Sequence, residues 1–378
     1  MADLMKTGSS RADRPLSFHV KDHVKPTGKE EEWRFTPLER MTDFFKEKAT
    51  GTAPQVKVSG EAKLEKVGRD DKRLGKVGVP EDRTGALSWE SFQEAYIVTI
   101  AENAHPDAEI EIDVIGAGDP EVAALHLLVV AEPSSQATVI LNHTGDARVA
   151  EGVEIAVGEN AHLTFVTNQE WEETAKHASS NRIRLGNNST LKHIVVSLGG
   201  DLIRITTSVE FQSEGAEIDL LGAYYVSSGQ HIEHRLFVDH NVPNCVSNAA
   251  YKGALQGDDA HSVWIGDVLI RPEAEGTDTY ELNRNLVLTE GPRADSVPNL
   301  EIETGEIAGA GHASATGRFD EEQLFYLRSR GINEVDARRL VVYGFFAELI
   351  GQIGVESVSQ RLMDAIEAEL ETLAEFHD

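Results

Sequence analysis

The 378-residue chain is 40% hydrophobic and 26% charged, proportions of a soluble folded protein long enough for two or three substructures. A formal charge of −29 argues against nucleic acid as a partner, since a polyanion would be repelled. The single cysteine, Cys245, excludes an intramolecular disulfide framework and a cluster held by four of the chain's own thiolates.

No apolar run reaches the roughly 18 residues of a membrane span, and the N-terminus lacks the apolar core of a secretory signal. The expected compartment is therefore a reducing one, the cytoplasm. Sparse aromatics (6%) and 32 glycines suit a repetitive β architecture with many turns.

Residues 1 to about 30 read as polar and loosely ordered. Thr36-Pro37-Leu38-Glu39 then has the form of a helix start: an N-cap, a proline at the first position and a capping-box glutamate. Leu38, Met41, Phe44 and Phe45 supply its apolar stripe. Residues 50–85 show no period and read as a solvated connection with one short strand. A second short helix is expected from Ser88, burying Trp89, Phe92 and Tyr96.

From about 96 to 310 the period becomes two: Ile110, Ile112 and Val114 alternate with Glu109, Glu111 and Asp113, and Leu163 and Phe165 flank Thr164. A looser repeat overlies it, a polar turn followed by a small residue: Ala137, Ala161, Ser189, Ala216, Ala260 and Ala294. These lie 24, 28, 27, 44 and 34 positions apart, the 44 reading as two turns of 22. Repeats of this length in an all-β stretch point to stacked coils of a β-helix, whereas a sandwich would show shorter, more even strand spacing.

After Asp320 the period returns to 3.6. Asp320 and Gln323 form a capping pair. A first helix carries Leu324, Phe325 and Leu327 and stops at Gly331. Asn333 caps a second, with Val335, Leu340, Val341, Phe345 and Leu349, and a third carries Val358, Leu362, Ile366, Leu370 and Leu373. The expected organisation is an N-terminal helical or irregular region (1–95), a β-helix core (96–317) and a C-terminal helical domain (318–378).

Two stretches attract chemistry. In Gly309-Ala310-Gly311-His312-Ala313-Ser314-Ala315 a solitary imidazole stands among small residues, where strand hands over to helix. One imidazole cannot complete a tetrahedral site, so any metal there needs ligands from another chain. The histidine-rich run His231 to His240, ending near Cys245, invites a zinc reading. Strand geometry opposes it: His231 and His234 point to opposite faces, and His234 and His240 lie about 20 Å apart. His240 and Cys245 could still approach across the turn. No P-loop, GxSxG elbow or HExxH helix is present, so the chain has no ATP site of its own.

Val238-Asp239-His240-Asn241-Val242-Pro243-Asn244-Cys245 through Gly253, Arg293 to Ile302, and Gly311 to Ile332 together resemble the SufB/SufD scaffold proteins of the SUF iron–sulfur cluster assembly system. Glu31-Glu32-Trp33-Arg34-Phe35-Thr36-Pro37-Leu38 and the near absence of cysteine look like the SufD branch. The resemblance implies a right-handed parallel β-helix with helical segments at both ends. It also implies a non-catalytic role beside a SufB-like paralogue and a SufC-type ATPase docked on the C-terminal region. The docking candidates there are Phe325, Tyr326, Arg328, Arg330, Gly331, Tyr343, Phe345 and Phe346.

By the same resemblance, His312 faces a transient iron–sulfur cluster at the junction with the paralogue. Ala310 stands where some SufD-like chains carry cysteine. A reduced flavin in the complex, a homodimer of the isolated chain and any role for Cys245 stay open. The rival reading is a β-helix polysaccharide hydrolase or lyase using carboxylates such as Asp258, Asp259 and Asp267.

Overall fold

The computed structural model describes residues 10–375. The Gln323 side chain and the Leu370–Leu373 end of the last apolar stripe lie outside the described side chains. In chain order the regular elements are β1 (Gln55–Ser59), β2 (Lys63–Val67), α1 (Arg83–Ser91), β3 (Ala95–Ile100), β4 (Ile110–Ile115), β5 (Ala123–Ala131), β6 (Gln136–Gly145), β7 (Arg148–Val157) and β8 (His162–Trp171). They continue with β9 (Lys176–Leu185), β10 (Thr190–Ser197), β11 (Leu202–Phe211), β12 (Glu217–Val226), β13 (His231–His240), β14 (Val246–Leu255), β15 (His261–Ile270), β16 (Asp278–Val287), β17 (Arg293–Ile302) and β18 (Gly309–Arg318). Three helices close the chain: α2 (Glu321–Ser329), α3 (Glu334–Ile353) and α4 (Glu356–Glu375).

From β3 to β18 successive strands fall alternately into two sheets. One runs β4-β6-β8-β10-β12-β14-β16-β18, the other β3-β5-β7-β9-β11-β13-β15-β17, with every pairing parallel and in register. This is the parallel β-helix that the repeat implied. The N-terminal end is closed by antiparallel strands, β1 on β4 and β2 on β3. At the other end β17 and β18 are the outermost strands of their sheets, and among the described residues no further rung covers them.

The corners explain the repeat. Ser134, Asn160, Asn188, Gly215, Asn244 and Gly276 all have φ between 50° and 76°. Each is followed by a small, buried residue: Ser135, Ala161, Ser189, Ala216, Cys245 and Thr277. Asn and Gly adopt the left-handed conformation cheaply, and a small side chain lets the next coil stack directly on the turn. Cys245 is thus one rung of a corner ladder. The interval of 44 from Ala216 to Ala260 is not two turns of 22. It is one coil of 29 to Cys245 plus a half-coil of 15 that crosses to the second sheet.

The lumen is apolar over much of its length, with Val139, Phe165, Ile183, Leu220, Ile232 and Trp264 in one continuous core. Each outer face is covered separately. Val20, Trp33, Met41, Phe44, Phe45 and Leu87 pack on the β5–β11 sheet, while α2–α4 lay Leu324, Val342, Phe346, Leu349 and Leu362 on the other.

Several expected elements differ. No α-helix follows Thr36; the chain makes short 3-10 turns at Glu31–Trp33, Leu38–Arg40 and Thr42–Phe45. The Thr36 hydroxyl, needed for a cap, instead donates to Glu233 Oε2 at 2.7 Å. The next helix begins at Arg83 rather than Ser88, capped by Asp82, whose Oδ1 accepts from Gly85 N–H. Ser88 lies buried inside that helix, and Tyr96 belongs to β3. Residues 50–85 hold two strands, not one. In the C-terminal bundle Phe325 and Leu340 point outward; α3 buries Leu349 as expected, together with Ala337, Val342, Phe346 and Ile353.

Candidate functional site at the open end of the β-helix

His312 lies on β18, the last rung, opposite Glu281 of β16. Parallel partners in register present their side chains to the same face. On β16 the alternating buried positions Thr279, Glu281, Asn283 and Asn285 point inward, and a β-carbon at Gly266 on the opposite sheet would meet the Glu281 carboxylate, so Glu281 faces the lumen. His312 continues that inward column, yet is exposed because nothing stacks beyond it.

Beneath it, Glu281 is 1% exposed, and neither of its carboxylate oxygens has a hydrogen-bond partner. Burial, reinforced by the negative charge of Asp267, pushes its pKa up to about 8. Gly266 makes the space: a β-carbon there would collide with the Glu281 carboxylate and the Trp264 ring. Trp264 Nε1 and Tyr251 Oη are likewise buried without a partner, their rings 6.1 Å apart, and Ser296, beside Trp264 in register, has an unpartnered hydroxyl. Buried polar groups without partners occur elsewhere in the molecule too, but Glu281, Trp264, Tyr251 and Ser296 lie on the last rungs of the lumen.

Imidazole nitrogen and carboxylate oxygen are both competent donors to iron. Adjacent rungs place their backbones about 4.8 Å apart. Two such groups do not close a coordination sphere, so any metal at this end would need further ligands from elsewhere.

The histidine-rich strand β13 does not form a second one. Its rings diverge. His231 meets His261 (3.1 Å) and Glu233 (3.2 Å), His234 meets Ser197 Oγ (3.0 Å), and His240 meets Ser247 Oγ (2.8 Å). His240 does not approach Cys245, whose thiol lies 3.6 Å from the carbonyls of Ser213 and Pro243. Burial raises the Cys245 pKa, which leaves it an inert thiol. The carboxylates named for the polysaccharide reading do not pair in a groove either. Asp258 and Asp259 occupy an exposed turn, and Asp267 accepts from Arg11 Nη1 at 2.5 Å and from Asn299 Nδ2 at 2.7 Å.

The candidate docking residues lie around α2. Phe325 and Tyr326 are 75% and 57% exposed, beside a cleft lined by Asp320, Glu322, Leu327 and Val341. The Arg330 guanidinium sits 5.2 Å from the Tyr326 ring centre, Arg328 pairs with Glu334 at 3.1 Å, and Gly331 turns the chain at φ 88°. Tyr343 and Phe345 are half-buried. Phe346 is buried in the bundle and offers no surface.

The chain is a two-sheet parallel β-helix whose last rung leaves a polar, open mouth. Residues 114–345 match the family model described as "SUF system FeS cluster assembly, SufBD core domain". The chain is 51% identical to an iron–sulfur cluster assembly SufBD family protein of Mycobacterium tuberculosis, over 94% of this chain and 92% of that one. It is 28% identical to the iron–sulfur cluster assembly protein SufD of Escherichia coli over 90% and 88%, and 24% identical to SufD of Bacillus subtilis over 77% and 68%. The chain belongs to the SufBD family and is SufD-like, with a role in iron–sulfur cluster assembly.

Proposed function

We propose that this chain is a non-catalytic scaffold subunit of a cytoplasmic assembly complex. It pairs end to end with a SufB-like paralogue through β17 and β18 and contributes His312 to a transient iron–sulfur cluster at that junction. A SufC-type ATPase docks on α2 and α3 through Phe325, Tyr326, Arg328, Arg330, Tyr343 and Phe345. The observation that carries the reading is the exposed imidazole of His312, in register over the unpartnered Glu281 on an uncovered rung. Open strand edges pair readily with another chain, and a half-built donor set needs one.

Co-expression with a SufB-like paralogue and a SufC-type ATPase, followed by anaerobic purification, tests it. His312→Ala is expected to leave the complex intact while its cluster absorbance falls about tenfold, the usual scale of loss when a metal site is perturbed. Unchanged cluster content removes His312 from the site, and failure to co-purify removes the scaffold reading.

A further inference from the structure

His143, Glu151 and His177 converge inside the β-helix, six rungs from His312 along the sheet that ends in β18. Their ligand atoms all lie within 4.8 Å of one another, and among the described residues this is the one such group of His, Cys, Asp and Glu. The topology assembles it at a corner. His143 lies near the end of β6, and Glu151, eight residues later, lies in the first half of β7. His177 lies on β9, the neighbour of β7, where Ser179 is the register partner of Glu151. All three are at most 1% exposed.

The hydrogen bonds decide where the ring protons sit. His143 Nδ1 lies 3.0 Å from the Asn168 carbonyl oxygen, which only accepts, so Nδ1 carries the proton. His177 Nδ1 lies 2.7 Å from Gln169 Oε1, an atom assigned as oxygen because it also receives the Trp171 indole N–H at 3.1 Å. The indole N–H also lies 3.2 Å from His177 Nδ1 itself, but the nearer contact is the Gln169 oxygen, whose amide N–H2 donates to Thr167 Oγ1, and a proton on Nδ1 satisfies all of these groups together. In neutral imidazoles both Nε2 lone pairs then face the Glu151 carboxylate, at 3.0 and 3.1 Å, while Ser179 Oγ donates to the same carboxylate at 2.9 Å.

Lone pairs aimed at a carboxylate need a positive charge between them. One proton, wherever it sits, relieves only one of the two contacts. Two imidazolium ions would have to share a dry interior beside a single carboxylate, at the cost of burying an excess charge. A divalent ion relieves both contacts at once. Histidines whose Nδ1–H is anchored on a carbonyl-type oxygen while Nε2 points to a common centre have the usual outer-shell arrangement of metal ligands.

We propose that His143 Nε2, His177 Nε2 and the Glu151 carboxylate bind one first-row divalent transition cation, of the Zn2+ or Fe2+ class, as a structural ion inside the β-helix. Metal–ligand bonds of about 2.0–2.2 Å put neighbouring donors roughly 3.0–3.5 Å apart, the spacing the two His–Glu pairs already have. The widest separation, 4.8 Å, must contract by about 1 Å on binding. The donor set, two imidazoles and a carboxylate, selects this class over Ca2+ or Mg2+. Enclosure on all sides means the ion enters as the chain folds.

The test uses the full chain alone, refolded with Zn2+ or, anaerobically, with Fe2+, desalted, and assayed for metal. About one equivalent is expected per chain, falling about tenfold in Glu151→Gln and in His143→Asn. X-ray absorption at the metal edge should report two imidazole nitrogens at about 2.0 Å in the loaded wild type, a readout independent of whether the variants fold. Retention equal in wild type and variants, a coordination shell without imidazole, or no retained metal would overturn the proposal and leave the cluster a proton-bearing network. None of these outcomes bears on His312, which sits at the other end of the stack.

Discussion

Glu281 lies directly behind His312 in the same lumen-facing column of the β-helix, one rung deeper, and its carboxylate has no partner. The exposed member of this pair can be altered without touching the core, while the buried member stores a pH-dependent cost. Glu281 ionises near 4.5 when solvated but only near about 8 in the fold, so the folded chain holds a proton that the unfolded chain has released. Its stabilising effect is complete below about pH 4.5 and is lost as pH rises through about 8, at about 1.4 kcal/mol per unit. Glu281→Gln removes that slope. The variant is expected to gain on the wild type by about 4 kcal/mol between about pH 5 and pH 8. Urea unfolding at both ends of that window checks it, and parallel pH dependences would refute it.

The N-terminal segment is held to its sheet by charge as well as by apolar contact. Arg204, 1% exposed, donates to Asp82 Oδ2 at 2.6 Å and to Glu233 Oε1 at 3.3 Å, with its guanidinium 3.9 Å from the Trp33 ring centre. The Arg204 charge holds the Asp82 pKa down to about 2 despite burial. Arg204→Met leaves the buried Asp82 carboxylate without its cation, while Glu233 keeps Arg235 (3.3 Å) and His231 (3.2 Å), and is expected to destabilise by about 3–5 kcal/mol. Adding Asp82→Asn should restore part of that loss, a coupling that urea unfolding of the double mutant measures.

Much of this fold could be read from residue order, because β-helix corners have a local chemistry. A left-handed Asn or Gly followed by a small residue recurs once per coil, and strands between corners alternate with period two. The phase between the two sheets could not be read, since the same turn chemistry serves both. Ala260 and Ala294 were grouped with corners of the other sheet for that reason. The helix expected at Thr36 does not form; the chain makes 3-10 turns there, and the Thr36 hydroxyl donates to Glu233, far away in sequence.

His312 stood out because small residues isolate it. Glu281 was hidden for the opposite reason. On β16 the inward positions are Thr279, Glu281, Asn283 and Asn285, and the apolar Tyr280 is 48% exposed, so the hydrophobic alternation points the wrong way. His143, Glu151 and His177 are polar residues in a lumen that period-two reasoning fills with Val and Ile, and only the fold brings them together.

The corner argument gives a sharper test at Asn244, which has φ 58° directly before the buried Cys245. Asn244→Gly keeps the left-handed conformation and is expected to change stability by less than about 1 kcal/mol. Asn244→Val forces a β-branched residue into that region and is expected to cost about 1–3 kcal/mol. Equal thermal midpoints for the two variants would show that the corner does not depend on its backbone conformation.

Phe325 and Tyr326 test the docking surface separately from the junction. Large aromatics at 75% and 57% exposure, beside a cleft and backed by the Arg330 guanidinium, contribute little to the monomer's own core. Replacing both with Ser should therefore shift monomer stability by less than about 0.5 kcal/mol each, the usual range for surface positions. If this is the surface the ATPase occupies, the two rings are its anchors, and losing an aromatic anchor removes about 2 kcal/mol or more of binding. The double variant should then lose the ATPase on co-purification while keeping the paralogue, because β17 and β18 are untouched. His312→Ala should do the reverse, retaining both partners and losing the cluster. Loss of both partners in the Phe325/Tyr326 variant would mean that the two surfaces are not independent, and retention of the ATPase would move its docking site away from α2.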